Sequence, residues 1–243
     1  MYGGFASMYD ALMIDTPYDL WAAYIDGLLL EWFKKRGILV LDLACGTGNM
    51  TLRLAQMEYD LIGVDVSEDM LAEAQRKSYE AGFNILFLKQ DMRKLDLYGT
   101  IDAVVCVCDG MSYILNEEDL LAVFKQVRLF LNHGGVFIFD MNTEYKFKEI
   151  LQNRVFEDEG AGGESYVWEN QYDPQTKINE YHIMFTTSDG ETFSELHRQR
   201  AYTPENVQAL LLEAGFEAVV IRDGYSGESL KPKSSRVVFI VRG

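Results

Sequence analysis

Residues 41–49 of the chain are Leu41-Asp42-Leu43-Ala44-Cys45-Gly46-Thr47-Gly48-Asn49, and this stretch decides the fold. The apolar run 38–43 before it predicts a buried strand, and a helix-like segment follows over 49–57. Glycines between a strand and a helix allow a tight turn and a close approach of a ligand. Amide groups at such a helix start can bind an anionic group. The glycine pair alone is equally consistent with a tight turn that binds nothing.

Strand-like and helix-like segments alternate on both sides of this stretch. The chain of 243 residues therefore predicts an α/β, Rossmann-like, doubly wound fold with a mostly parallel seven-stranded sheet. The predicted strands are 38–43, 61–64, 85–88, 101–107, 136–140, 217–222 and 236–241. We expect residues 1–150 and 203–243 to form the main domain, with cap helices in 1–36, and residues 151–202 to form an antiparallel insertion or lid.

The insertion has a different pattern, because apolar and polar residues alternate from about Ser165 to Tyr202. We expect three antiparallel strands, with Asp189-Gly190 as a two-residue turn. That turn would place Ser188 opposite Glu191 and His182 opposite His197. The opposite, apolar face would then carry Trp168, Tyr181, Ile183, Phe185 and Leu196. A cross-strand histidine pair near carboxylates is compatible with a metal site, but a polar outer face is the favoured interpretation, and no metal is expected.

Asp65 ends the second predicted strand, roughly 17 residues after Gly48. A carboxylate at that place binds ribose hydroxyls in Rossmann-type sites, so the pattern predicts a nucleoside ligand. A dinucleotide site prefers a third glycine where Thr51 stands. The chain also has no Tyr-x-x-x-Lys pair. Both features argue against NAD and a dehydrogenase.

The motifs resemble those of the class I S-adenosylmethionine (SAM) dependent methyltransferases, and they occur in the order of that family. The similar segments are Val40–Gly48, Gly63–Ser67, Gln90–Met92, Ile101–Val105 and Gly134–Asp140. The resemblance covers roughly residues 38 to 140, and the segments after Thr203 complete the seven-stranded plan. It implies SAM as the cofactor.

The resemblance also implies roles for single residues. Gly46 and Gly48 would face the methionine part of SAM, Asp65 the ribose, and Asp91 with Met92 the adenine. Asp42 would support the glycine loop, and Tyr9 and Tyr18 would bind the cofactor carboxylate unless they only pack in an N-terminal helix. The further cofactor contacts expected on this basis are Ala44, Val66, Met70 and Cys108.

Fewer features of the sequence bear on the methyl acceptor. The fourth strand ends in Cys108-Asp109-Gly110-Met111-Ser112-Tyr113, without the prolines found in enzymes that methylate planar amides. Asp109 and Tyr113 follow the carboxyl end of a strand, where ligands of open α/β sheets bind. Arg200 is a candidate contact of the acceptor, and the alternative is that it only forms an ion pair at the end of a strand. The candidate acceptor contacts are Asp109, Tyr113, His182, His197, Arg200 and Tyr202.

We therefore expect methyl transfer from SAM to nitrogen or oxygen of a small-molecule acceptor. The alternatives are an RNA or tRNA methyltransferase and a non-catalytic SAM-binding module. A formal net charge of -16 opposes nucleic-acid binding. The chain start has no secretory pattern, no apolar run is long enough for a membrane span, and the three cysteines suit a reducing compartment. These features predict a cytoplasmic monomer or homodimer.

Overall fold

The computed structural model describes residues 5–159, 165–188 and 190–243. Within these residues it contains a seven-stranded sheet and a separate four-stranded sheet. The strands are β1 (Leu39–Leu43), β2 (Asp60–Asp65), β3 (Leu86–Lys89), β4 (Ile101–Cys106), β5 (Leu131–Asn142), β6 (Val155–Glu159), β7 (Ser165–Asp173), β8 (Ile178–Thr186), β9 (Thr192–Arg200), β10 (Ala218–Asp223) and β11 (Arg236–Arg242). The helices are α1 (Phe5–Leu12), α2 (Tyr18–Phe33), α3 (Asn49–Gln56), α4 (Glu68–Glu80), α5 (Glu117–Phe130) and α6 (Pro204–Glu213).

The large sheet has the order β10-β11-β5-β4-β1-β2-β3. All neighbours are parallel except β11, which is antiparallel to both β5 and β10. The chain winds outward from β1 to β3 and then crosses to β4 on the other side of β1. This reversal creates a switch point between β1 and β4, where open α/β sheets bind ligands. The predicted doubly wound, mostly parallel seven-stranded fold is confirmed.

Two apolar layers cover the large sheet, one on each face. Successive residues of a strand point to opposite faces, so Val40 packs against α2 and α3, whereas Leu41 packs against α5 and α6. Predicted helix starts are also confirmed: the side chain of Ser67 accepts a hydrogen bond from the backbone N–H of Met70, and that of Thr203 from Asn206. Packing on both faces holds in place the carboxyl ends of the strands, where the cavity described below lies.

The insertion forms a sheet of four strands, β6-β7-β8-β9, and not the predicted three. The additional strand is β6, a short edge strand whose sequence was not recognised because Val155 and Phe156 are followed by three acidic residues. The inner face of the sheet packs on α1, α4 and the turn after β5, forming a third apolar cluster. Trp168, Tyr181, Ile183 and Phe185 lie on this inner face, as predicted.

The predicted register between β8 and β9 is wrong by one residue. Asp189 lies outside the described residues, but the pairing of Thr186 with Thr192 leaves five residues, 187–191, between the paired positions. Tyr181 therefore pairs with His197, and His182 pairs with Leu196. A shift of one residue moves a side chain to the other face of a sheet. His182 and Leu196 are accordingly exposed and His197 is buried, so the two histidines do not form a pair.

Among the described residues, no helix is both long enough and apolar enough to cross a bilayer.

Candidate active site

A cavity of about 760 Å³ opens at the switch point, at the carboxyl ends of β1, β2 and β4. Its size lies within the roughly 300–1,000 Å³ typical of small-molecule sites. One end is bounded by the glycine loop and the residues after β2 and β3. The other end is bounded by the residues after β4 and β5 and by the inner face of the insertion.

The glycine loop is held to β2 by Asp65. One carboxylate oxygen of Asp65 accepts a hydrogen bond from the N–H of Gly46 at 2.9 Å, and the other accepts one from the N–H of Ser67 at 2.9 Å. Burial raises the pKa of Asp65 above its ordinary value. Ala44 adopts a left-handed backbone conformation, with φ of 59°, which costs energy in a residue other than glycine. A strained turn and a buried carboxylate thus lie side by side at the cavity wall.

Gly48 does not belong to the cavity wall. It is left-handed, with φ of 77°, and an added Cβ would come within 3.0 Å of the Cβ of Ala74 on α4. Gly46, by contrast, lines the cavity, and an added Cβ there would have no other atom within 4 Å. The loop therefore uses its two glycines differently, one against a helix and one toward the ligand space.

This difference predicts unequal stabilities for two alanine variants. Both Gly46→Ala and Gly48→Ala place a side chain in the left-handed region, at a cost of roughly 1–2 kcal/mol. Gly48→Ala adds the contact with Ala74 and should lose more free energy of unfolding in denaturant titrations. Gly46→Ala should instead show the larger loss of SAM affinity by calorimetry. Equal stabilities, or unchanged SAM affinity in Gly46→Ala, would contradict this assignment.

Asp42 is buried beneath the loop, although it lines the cavity. Its Oδ2 accepts a hydrogen bond from the hydroxyl of Thr51 at 2.5 Å, whereas its Oδ1 is buried without a hydrogen-bond partner among the described residues. Burial raises the pKa of Asp42 to about 7. Thr51 occupies the position of a dinucleotide site's third glycine, and its hydroxyl holds this carboxylate.

Helix α1 is attached to the glycine loop through Asp10. One oxygen of Asp10 accepts hydrogen bonds from the side chains of Thr47 at 2.6 Å and Asn49 at 2.8 Å. The other forms an ion pair with Lys77 of α4 at 2.6 Å. Tyr9, next to Asp10, and Tyr18, at the start of α2, both line the cavity. The N-terminal segment is therefore part of the site.

The residues after β3 form the outer wall of the glycine-loop end. Asp91 caps a 3-10 turn and is bound by the guanidinium of Arg93, which also contacts Asp119 of α5. The remaining expected cofactor contacts line the cavity as well: Ala44, Val66, Met70, Met92 and Cys108.

The other end of the cavity contains a buried ion cluster, formed by Asp109, Asp140 and Arg236. The guanidinium of Arg236 lies 2.8 Å from Oδ1 of Asp109 and 2.9 Å from Oδ2 of Asp140. Asp140 also accepts hydrogen bonds from the hydroxyl of Tyr225 and from the N–H of Asp109. Burial works to raise the pKa of Asp109, but the charges of Arg236 and Lys146 outweigh it and lower that pKa.

A chain of amide side chains extends from this ion cluster to Lys146. Gln199 of β9 donates to Asp109 at 2.5 Å and accepts a hydrogen bond from Asn142 at 3.1 Å. Asn142 in turn accepts one from the Nζ of Lys146 at 2.9 Å. No sequence motif singled out Asn142, Lys146, Gln199 or Arg236, because these residues come from distant segments of the chain. The available signal was topological: β11 is antiparallel to β5, so its first residue, Arg236, lies at the ligand edge of the sheet.

His197 and Tyr113 form a second polar group at this end. The hydroxyl of Tyr113 lies 3.3 Å from Nδ1 of His197, and both residues line the cavity. Burial lowers the pKa of His197, so the imidazole is neutral at neutral pH. The insertion therefore brings a neutral base to the cavity.

Three of the candidate acceptor contacts lie away from the cavity. His182 is on the outer face of the insertion. Arg200 contacts the carbonyl oxygen of Leu115 and forms an ion pair with Glu117, which matches its alternative role. Tyr202 is buried in the apolar core and donates its hydroxyl to a backbone carbonyl. Asp109, Tyr113 and His197 are the candidates that the structure brings together.

The doubly wound sheet with an acid-lined cavity at its switch point defines a nucleoside-binding α/β protein. A family model described as a methyltransferase domain matches residues 40–135. The methyltransferase-family protein YqeM of Bacillus subtilis is 35% identical, with 98% of this chain and 96% of that protein covered. The structure of a SAM-dependent methyltransferase from Clostridium acetobutylicum is 33% identical, covers 99% of this chain and 98% of its own, and has a TM-score of 0.89.

The chain therefore belongs to the SAM-dependent methyltransferases, as the motifs predicted, and its cofactor is SAM. A more distant relative is similar over part of the chain. The glycine/sarcosine N-methyltransferase of Halorhodospira halochloris is 31% identical over 143 residues, which are 58% of this chain and 52% of that enzyme.

Proposed function

We propose that this methyltransferase transfers the methyl group of SAM to the nitrogen of a small amine. The observation that carries the proposal is the position of the insertion over the cavity. His197 and Gln199 of β9 line the same cavity as Gly46 of the glycine loop. An acceptor must fit between these elements, which favours a small molecule over a nucleic acid or a protein.

The glycine-loop end is suited to SAM. SAM supplies a methyl group on a positively charged sulfur, which needs little further activation. A cavity wall with Asp42 and Asp65 favours a cation, and Oδ1 of Asp42 offers a buried acceptor that has no hydrogen-bond partner within the described part of the chain. We assign Asp42, Asp65 and Gly46 to binding SAM. We assign Asp91 and Met92 to the adenine, and Tyr9 and Tyr18 to the carboxylate of SAM, as the resemblance to the family implies.

His197 is the candidate for accepting the proton of the amine. Amines are mostly protonated at neutral pH, with pKa values of about 8 to 10, and a protonated nitrogen has no lone pair for methyl transfer. The neutral imidazole can accept that proton at Nε2 in the tautomer whose Nδ1–H donates to the hydroxyl oxygen of Tyr113. Beyond this proton transfer, the rate of methyl transfer is raised by the exclusion of water and by the alignment of the acceptor with the methyl group.

Two further observations support nitrogen as the methylated atom. The relative from Halorhodospira halochloris is a glycine/sarcosine N-methyltransferase. The net charge of -16 attracts cationic amines to the protein and repels nucleic acids. An RNA acceptor is therefore disfavoured.

The function is tested with SAM labelled in its methyl group. We expect label in a panel of small amines that includes glycine and sarcosine, and none in glycolate, which has a hydroxyl in place of the amine, or in tRNA. His197→Asn should lower kcat by roughly a hundredfold, the scale of lost acid–base catalysis. It should also remove the part of the activity loss at acidic pH that follows protonation of the imidazole, and leave the part that follows protonation of the amine.

Arg198→Asn is the matched control, because Arg198 is the next residue of β9 and its side chain is exposed. It should retain the activity of the wild type. Label in glycolate or tRNA would overturn the proposal. Binding of SAM without transfer to any amine would favour the non-catalytic module.

A further inference from the structure

Lys146 is a half-buried cation at the end of the cavity beyond β4. It begins a π-helical turn, Lys146–Leu151, that directly follows β5, and such turns are common at functional sites. The hydroxyl of Thr143 accepts a hydrogen bond from the backbone N–H of Lys146, which fixes the start of the turn. The residue is half-buried, and it lines the cavity.

The amide partner of Lys146 is fixed in orientation. Asn142 uses its oxygen for the ammonium of Lys146 and its NH₂ group for Gln199. The oxygen of Gln199 also accepts a hydrogen bond from the hydroxyl of Tyr181 at 2.5 Å, and its NH₂ group donates to Asp109. Neither amide can flip without losing hydrogen bonds, because each oxygen and each nitrogen is committed. The ammonium is therefore held in one place.

The carboxylates nearby are engaged by another cation. Arg236 forms ion pairs with both Asp109 and Asp140, whereas no carboxylate of the described residues lies within 4.0 Å of the Nζ of Lys146. Burial, together with the charge of Arg236, lowers the pKa of Lys146. An ammonium has three N–H donors, and the structure gives one of them a partner, Asn142. A half-buried ammonium with remaining donors is stabilised by an anion.

We propose that Lys146 binds an anionic group of the methyl acceptor, a carboxylate or a phosphate, so that the acceptor carries both an amine and an anion. This inference rests on the proposed function, because it assigns the end of the cavity beyond β4 to the acceptor. Arg236 and Asp109 position the anion site through Gln199 and Asn142. Selection for an anion would exclude simple amines that fit the cavity equally well.

The test compares acceptor-like probes that differ in charge, using protein loaded with S-adenosylhomocysteine and ligand-observed NMR titration. Sarcosine and sarcosinamide differ in the carboxylate, and O-phosphoethanolamine and ethanolamine differ in the phosphate. We expect the member of one pair that carries the carboxylate or phosphate to bind at least tenfold more tightly than the partner that lacks it. The pair that shows the difference identifies the anion as carboxylate or phosphate.

Variants of Lys146 test whether this residue causes the preference for probes that carry an anion. Lys146→Met should abolish the preference, and Lys146→Arg should retain part of it. Lys148→Met is the matched control, because Lys148 lies in the same turn with its side chain exposed, and it should bind as the wild type does. The affinity for S-adenosylhomocysteine should be unchanged in Lys146→Met, since a loss would mean that Lys146 serves the cofactor carboxylate.

Equal binding of the probes with and without the anionic group, no binding of either anionic probe, or a preference that survives in Lys146→Met would overturn the inference. These outcomes are separate from those of the proposed function. If anions bind through Lys146 but no amine is methylated, the proposed function fails and the anion site stands. If simple amines are methylated without any preference for an anion, the function stands and the inference fails.

Discussion

Arg236→Met should lower the free energy of unfolding by about 3–5 kcal/mol, the cost of leaving a buried charge without its partner. Arg236 contacts Asp109 and Asp140, whose side chains are 13% and 0% exposed, so both carboxylates would lose their cation. The variant would also lose the guanidinium that lies over the ring of Trp21, at 4.9 Å from its centroid. The measurement is urea unfolding near neutral pH.

Arg242→Met is the matched control for this experiment. Arg242 lies on the same strand, but its ion pair with Glu217 is long, at 3.5 Å, and both side chains are about half exposed. Exposed ion pairs contribute at most about 1 kcal/mol, so this variant should remain close to the wild type. Equal stability of the two methionine variants would show that Asp109, Asp140 and Arg236 do not form a charged cluster.

Two further variants keep this prediction testable if Arg236→Met does not fold. Arg236→Lys retains the charge but lacks the planar fork that reaches two carboxylates, so it should lose less stability. Adding Asp109→Asn to Arg236→Met removes one of the stranded charges and should recover part of the loss. No recovery in the double variant would mean that the loss arises from packing alone.

The large sheet could be predicted because its evidence is local. Each buried strand is a continuous apolar run next to a glycine or an acid, and Ser67 and Thr203 mark helix starts by their own side chains. The cofactor end follows the same logic. Asp65 was assigned from its place at the end of β2, and its carboxylate accepts a hydrogen bond from the N–H of Gly46.

The wrong prediction concerns the register between β8 and β9, where the length of the turn determines the face of every residue in the following strand. A hairpin register depends on the number of residues between the strands, and one additional residue moves His197 and Leu196 of β9 to the faces opposite those predicted, while His182 stays on the outer face. Gly48 shows a related limit. A glycine required by the packing of Ala74 has the same place in the sequence as one required by a ligand.

The end of the cavity beyond β4 was predicted only in part, through Asp109, Tyr113 and His197, because its other residues converge from separate segments. Asp109 follows β4, Lys146 follows β5, Gln199 belongs to the insertion and Arg236 begins the last strand. None of them forms a motif with its sequence neighbours. Only the antiparallel addition of β11 and the placement of the insertion over the cavity bring them together.

Asp42→Asn should stabilise the free protein by roughly 4 kcal/mol above pH 7, and by little at pH 4. Burial raises the pKa of Asp42 to about 7 in the folded protein, while its value in the unfolded chain is about 3.9. The folded state therefore holds the proton more tightly. The contribution of this proton to the free energy of unfolding is complete below pH 4 and is lost as the pH rises to 7. Asparagine is neutral at every pH, so the variant avoids this loss. The hydroxyl of Thr51 can still donate to the amide oxygen.

The same variant should weaken the binding of SAM, because the ionised carboxylate suits a cationic ligand and a hydrogen bond to a charged group contributes about 1.5–3 kcal/mol. Urea unfolding across pH 4 to 8 and calorimetric titration at pH 8 measure the two effects. Asp60→Asn, at an exposed position on β2, is the control and should change neither quantity by more than about 0.5 kcal/mol.

A stability difference between Asp42→Asn and the wild type that is independent of pH would show that Asp42 is ionised throughout. Greater stability with unchanged SAM affinity would remove Asp42 from the cofactor site. Together, higher stability and weaker binding would mean that the buried carboxylate is retained for the cofactor at the expense of the fold.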